Sequence, residues 1–199
     1  MKQLAMFGGS FNPIHNGHIQ LAETARVAAG LDKVILIPTF IPPHKSNKHM
    51  AESFHRLEMC RLACEGFNGL TVSDIEIKRK GPSYTIDTLK ALKLLYPDSA
   101  LHLILGADMF ITLMEWKNPL LIFQTAKLIT APRNKTHYKE LFDFAKKIQK
   151  SGAEFKILED FYIPLSSTKI RKMISTNNKN VCNYINPKVY SYIIENGLF

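Results

Sequence analysis

Six short apolar runs, at residues 4–7, 34–37, 70–75, 101–105, 127–130 and 155–158, are separated by longer stretches with helical spacing, and this alternation restricts the fold more than any other feature. Apolar runs without polar alternation suit strands buried on both faces, as parallel strands are when helices cover the sheet. Helices are expected at 17–29, 52–65, 84–95, 138–150, 168–174 and 187–195, several of them ended by Gly30, Gly66, Pro97 or Gly197. The pattern predicts an α/β protein with a doubly wound parallel sheet. At 199 residues and 46% hydrophobic content the chain fills one sizeable core and is short for two. One domain over 1–199 is therefore expected, with a C-terminal helical segment from about residue 166.

The first strand meets the first helix in Gly8-Gly9-Ser10-Phe11-Asn12-Pro13-Ile14-His15-Asn16-Gly17-His18. A helix start carries unpaired N–H groups and a partial positive charge, so it attracts anions before any side chain is considered. Glycines at 8, 9 and 17 would let a phosphate approach the backbone closely, and His15 and His18, one turn apart, add aimed donors. The same residues would also serve as a tight turn with solvent-facing histidines. Neither the dinucleotide fingerprint nor the phosphate loop with its terminal Lys-Ser/Thr is present in this stretch. In a doubly wound sheet ligands bind beyond the carboxyl ends of the strands, which is where this junction falls.

A second candidate anion site follows Pro164-Leu165. Ser166-Ser167-Thr168 precede an amphipathic helix, and Arg171 lies three residues after Thr168 on the same face. An ordinary N-cap explains the hydroxyls; a guanidinium beside a helix start would also fork onto phosphate oxygens. Residues 39–51 hold Pro42, Pro43, His44, Lys45, Lys48 and His49 and are expected to form a mobile, basic loop able to close over a ligand, or a plain solvated connection.

Composition narrows the partners. A net charge of +9 attracts polyanions such as nucleotides or, less specifically, nucleic acid. No run approaches the ~20 apolar residues of a membrane span. The N-terminal residues lead into a strand without a leader pattern, so a soluble cytoplasmic protein is expected. Cys60 and Cys64 share an apolar helical stripe and Cys182 is remote, a spacing that suits core thiols and not a zinc site; no resident metal ligands are expected.

Taken together, residues 8–18 resemble the H-x-G-H signature of nucleotidylyltransferases and residues 166–171 their S-x-T-x-x-R signature. Pro42-Pro43-His44-Lys45, the stretch from Gly81-Pro82-Ser83-Tyr84-Thr85 to Leu89, Leu105-Gly106-Ala107-Asp108 and Trp116 are similar to the bacterial nicotinate-nucleotide adenylyltransferases, a likeness that runs from residue 4 to the closing 192–199 segment. The resemblance implies adenylyl transfer from ATP to nicotinate mononucleotide, with Mg²⁺ bridging phosphate oxygens and release of pyrophosphate, on the route to NAD. It implies that His15, His18, Lys45 and Arg171 act on the phosphates, and that Gly8, Gly9, Ser10, Phe11, Gly17, Arg133, Ser167 and Thr168 hold ATP. It further implies an acceptor site at Tyr84, Thr85, Gly106, Asp108 and Trp116. Three of these readings have plainer alternatives: Ser83 capping the helix that Tyr84 and Thr85 open, Asp108 capping the next short helix, Trp116 simply buried. Nicotinamide mononucleotide or phosphopantetheine are alternative acceptors. A basic RNA-binding module, suggested by Lys78-Arg79-Lys80 near Tyr84, and a non-catalytic nucleotide sensor are alternatives of other classes. Oligomeric state is not legible.

Overall fold

The computed structural model describes residues 1–43, 50–159, 161 and 164–199, apart from the side chains of Lys135 and Thr136. Its strands are β1 (Gln3–Gly9), β2 (Lys33–Pro38), β3 (Leu70–Val72), β4 (Ala100–Gly106), β5 (Lys127–Ala131) and β6 (Phe155–Ile157). They form one sheet in the order β3-β2-β1-β4-β5-β6, with every pairing parallel. The strand order reverses between β1 and β4, the switch point at which such sheets open a crevice. This is the doubly wound architecture that the alternating runs predict.

The helices are α1 (Asn16–Ala28), α2 (Ser53–Cys64), α3 (Ile75–Arg79), α4 (Thr85–Leu95), α5 (Ala107–Ile111), α6 (Pro119–Thr125), α7 (Lys135–Gln149), α8 (Ser167–Ser175) and α9 (Pro187–Glu195), with 3₁₀ turns at Leu113–Glu115 and Lys179–Asn183. Successive strand side chains alternate between two buried layers. Ala5 and Phe7 face a core with Ala22 of α1, Met59 of α2, Ile170 of α8 and Val189 of α9. Leu4 and Met6 face the other core, with Leu89 of α4, Phe110 of α5, Ile122 of α6 and Leu141 of α7. Because both faces are covered, the strands read as unbroken apolar runs. Each large side chain buried in this way contributes roughly 1.5–3 kcal/mol. Among the described residues no helix is long and apolar enough to cross a membrane.

The expected strand at 70–75 stops at Val72, and Ile75 instead begins α3. β3 lies at the sheet edge and pairs with β2 over three residues only, so the chain is free to turn after Val72. Lys78 and Arg79, read from the sequence as a loop, close α3, and Lys78 pairs with Asp74 at 3.1 Å. α6 has no counterpart in the sequence reading. It is a short helix with Pro119 in its first turn, too brief to display a helical period. Cys60 and Cys64 are core thiols, and burial pushes Cys64 up to about 12.

Candidate active site

β1 delivers Gly8 and Gly9 to the switch point, and the turn beyond them leads into α1 with His15 as N-cap and His18 at its third position. None of Gly8, Gly9 and Gly17 has a positive φ; the residue in the left-handed region is Phe11, at φ 45°. Phe11 is 2% exposed, and a Cβ on Gly9 would lie 3.0 Å from its ring. A side chain at position 9 would therefore crowd the buried Phe11 ring, which would have to give by a few tenths of an ångström.

The His15 and His18 rings stack with centroids 3.7 Å apart. His15 N–H donates to His18 Nδ1 at 3.2 Å, so in the neutral His18 ring the proton resides on Nε2. His15 is 4% exposed. Burial, opposed by a backbone hydrogen bond and aided by the Arg133 charge, lowers it to about 4. At neutral pH it is an uncharged imidazole.

The C-terminal motif reaches this turn from the other end of the chain. Ser166 caps α8 by accepting from Lys169 N–H at 3.2 Å, as the capping alternative has it, while the next two hydroxyls have other partners. Ser167 Oγ donates to Pro13 O at 2.9 Å. Arg171 donates to Asn12 O at 2.8 Å and to Thr168 Oγ at 3.2 Å, which confirms the shared face of Thr168 and Arg171. The N-termini of α1 and α8 consequently open on one cavity of about 530 Å³. It is lined by Gly8, Gly9, Ser10, Phe11, His15, Gly17 and His18 from the first motif, by Ser167, Thr168 and Arg171 from the second, and by Gly106, Asp108 and Arg133 from the ends of β4 and β5. Asp108 does not cap α5, whose N-cap is Gly106; its carboxylate pairs with Arg133 at 2.5 Å across the cavity wall.

A narrower, largely apolar cavity of about 100 Å³ shares Gly8, Gly9, Ser10 and Gly106 and continues to Tyr84, Thr85 and Trp116. α4 begins here with Tyr84 as N-cap and no side-chain capping bond. Ser83 does not cap it: its Oγ accepts from Phe40 N–H at 2.9 Å. Trp116 is half-buried at the cavity wall, not enclosed in the core. Lys117, absent from the sequence reading, lies 4.4 Å from the centre of the Tyr84 ring and 3.0 Å from Asp87 Oδ2. Its neighbour Trp116 was the only local signal. Lys45 falls outside the described residues, as do the other residues of 44–49 in the expected loop; of the rest of that loop, Ile41 forms a parallel bridge with Pro82. Among the described residues no group of three or more His, Cys, Asp and Glu is arranged to hold a metal ion.

Residues 6–173 match the cytidylyltransferase-like family. The nicotinate-nucleotide adenylyltransferase of Bacillus subtilis (strain 168) is 36% identical over 200 residues, an alignment that covers 100% of this chain and 99% of the relative. The Plasmodium falciparum nicotinic acid mononucleotide adenylyltransferase, solved in complexes with NaAD and with APC, superposes with a TM-score of 0.80 in both. At 22% and 20% identity, over 100% of this chain and 97% of that one, this likeness speaks for the fold. By its sequence match and by the sheet and helices that carry it, the chain belongs to the cytidylyltransferase-like family, among its nicotinate-nucleotide adenylyltransferases.

Proposed function

We propose that this chain transfers the adenylyl group of ATP to nicotinate mononucleotide, giving nicotinate adenine dinucleotide and pyrophosphate in NAD biosynthesis. The observation that carries the reading is the joining of two cavities at Ser10: a larger, more polar one between two helix N-termini, and an apolar one ending at a third. The first has the donors for a triphosphate and the second the shape and chemistry for a flat, acidic ring.

The acceptor's phosphate oxygen attacks the α-phosphorus of ATP as the bond from that phosphorus to the pyrophosphate oxygen breaks. No protein nucleophile is needed, so the chain's task is to align two anions and offset their charge. His18 presents Nε2–H to the transferring phosphoryl group, and neutral His15 stacks beneath it as a second phosphate contact. Arg171, Ser167 and Thr168 hold the β- and γ-phosphates at the start of α8, and Arg133 approaches the nucleotide from β5. Lys45 adds a point charge on the phosphates. Gly8, Gly9, Phe11 and Gly17 shape the turn against which ATP lies, and Ser10 stands where the two substrates meet.

The acceptor's carboxylate takes the unpaired first N–H groups of α4 and the Thr85 hydroxyl, while Tyr84 and Trp116 flank the pyridine ring. Lys117, paired with Asp87 and set against the Tyr84 ring, adds a cationic group to this wall. Asp108 accepts from ribose hydroxyls beside Gly106, which requires it to leave or share its pair with Arg133. Mg²⁺ would be held chiefly by the phosphates of ATP and would supply charge neutralisation on the leaving pyrophosphate.

Pyrophosphate release measured in parallel with nicotinate and nicotinamide mononucleotides tests the assignment. The acid should turn over faster; equal or greater turnover of the amide would overturn it.

A further inference from the structure

Arg56, on the first turn of α2, is 1% exposed and is the largest fully buried side chain among the described residues. Burial lowers it to about 10, partly offset by the Cys60 thiol and the Glu76 carboxyl, so the guanidinium remains charged at neutral pH. A buried charge is costly unless hydrogen bonds satisfy it. Here the bonds go to segments that are far apart in sequence. Nη1 donates to Ser10 O at 2.9 Å and approaches Thr39 Oγ1 at 3.5 Å; Nη2 donates to Phe40 O at 3.3 Å, and Nε to Ala51 O at 2.9 Å.

Each contact continues towards one of the two cavities. Phe40 N–H donates to Ser83 Oγ and Ser83 N–H to Ile41 O, both at 2.9 Å, which fixes the residue next to the N-cap of α4. Ala51 N–H donates to Asn12 Oδ1 at 3.0 Å, and Asn12 O accepts from Arg171. One guanidinium therefore touches the turn where the substrates meet and is one or two hydrogen-bonded residues away from both the acceptor helix and Arg171.

We infer that Arg56 is a positioning residue that sets the register between the nucleotide turn at Ser10 and the acceptor helix α4, acting through Phe40 and Ser83 without touching either substrate. The inference rests on the proposed adenylyl transfer. In-line attack needs the two substrates aligned to within a fraction of an ångström, whereas each subsite keeps its own binding groups whether or not it is in register with the other. Loss of the link therefore lowers kcat and spares both KM values. A residue that merely stabilised the fold would lower the unfolding midpoint and leave the kcat of the folded enzyme unchanged.

The test uses full-length Arg56→Lys, Ser83→Ala and the double variant, with circular dichroism and thermal unfolding beside steady-state kinetics in both substrates. Lysine keeps the charge but cannot reproduce the planar fork. For folded Arg56→Lys kcat should fall roughly tenfold to a hundredfold, with each KM within about threefold of wild type. Ser83 also borders the acceptor cavity, so Ser83→Ala is read by kcat and by the KM for ATP: kcat should fall more weakly than in Arg56→Lys with the KM for ATP unchanged, and this variant carries the test if Arg56→Lys does not fold. The double variant should be no slower than Arg56→Lys alone, because both substitutions cut one relay. Unchanged kcat in the folded variants, a loss confined to KM, or losses that multiply would each overturn the inference. Wild-type enzyme that releases no pyrophosphate with nicotinate mononucleotide would instead refute the proposed reaction.

Discussion

His18 and His15 occupy the third helical position and the N-cap of the same helix, yet their surroundings give them different properties. His18 accepts from the His15 backbone and so keeps Nε2–H as a donor at the cavity wall. His18→Ala should lower kcat by roughly 10²–10³, the loss expected for a donor to transition-state charge, with an unchanged circular dichroism spectrum; steady-state kinetics checks it. His15 is buried and lowered to about 4, whereas in the unfolded chain it titrates near 6.5. Between those values the unfolded state binds more protons, so stability tied to neutral His15 is present above pH 6.5 and is lost as pH falls through 4. The contribution is roughly 3 kcal/mol. Urea unfolding at pH 7 and pH 4 should show a stability drop smaller by that amount in His15→Gln than in wild type. The sequence placed both histidines at a helix start but could not show that one is buried and neutral, because burial depends on elements distant in the chain.

Helix starts are the elements that make the site, and local sequence announced them unevenly. The Ser166-Ser167-Thr168 run signals an N-cap, and the helix begins one residue before the expected 168, so that Ser166 is the cap and accepts from Lys169 N–H. Ser166→Ala should cost about 1 kcal/mol of stability, read by urea denaturation at constant m-value. α4 is the contrary case. Ser83 looks like its cap but is drawn away by Phe40 N–H, which leaves the first N–H groups of α4 without a side-chain cap where they face the apolar cavity. That exchange needs the chain after β2 to lie against the chain before α4, a non-local pairing also seen in the Ile41–Pro82 bridge. α3 and α6 were missed for a different reason. They have five and seven residues, and so short a stretch shows too little of a 3.6-residue period to be separated from a strand or a loop.

At the scale of the whole molecule the two cavities meet at Gly8, Gly9, Ser10 and Gly106, beside the point where the strand order reverses, and in the proposed reaction one takes the nucleotide and the other the acceptor. Substitutions on one side should therefore affect one substrate. Trp116→Ala should raise the KM for nicotinate mononucleotide several-fold, about what one lost aromatic contact is worth, and leave the KM for ATP unchanged in a two-substrate titration. What the sequence determined by itself was what local chemistry encodes: the apolar runs that become strands buried on both faces, the glycine and histidine junction after β1, and the serine cap and arginine that open α8. What only the tertiary structure decided was the bringing together of these parts. The docking of α8 on the first turn through Asn12 and Pro13, the Arg133–Asp108 pair, the place of Lys117 beside Tyr84 and the burial of Arg56 under Ser10 all join residues separated by long stretches of chain. No local pattern specifies such contacts, because their energy comes from burial and hydrogen bonding that exist only once the sheet has assembled.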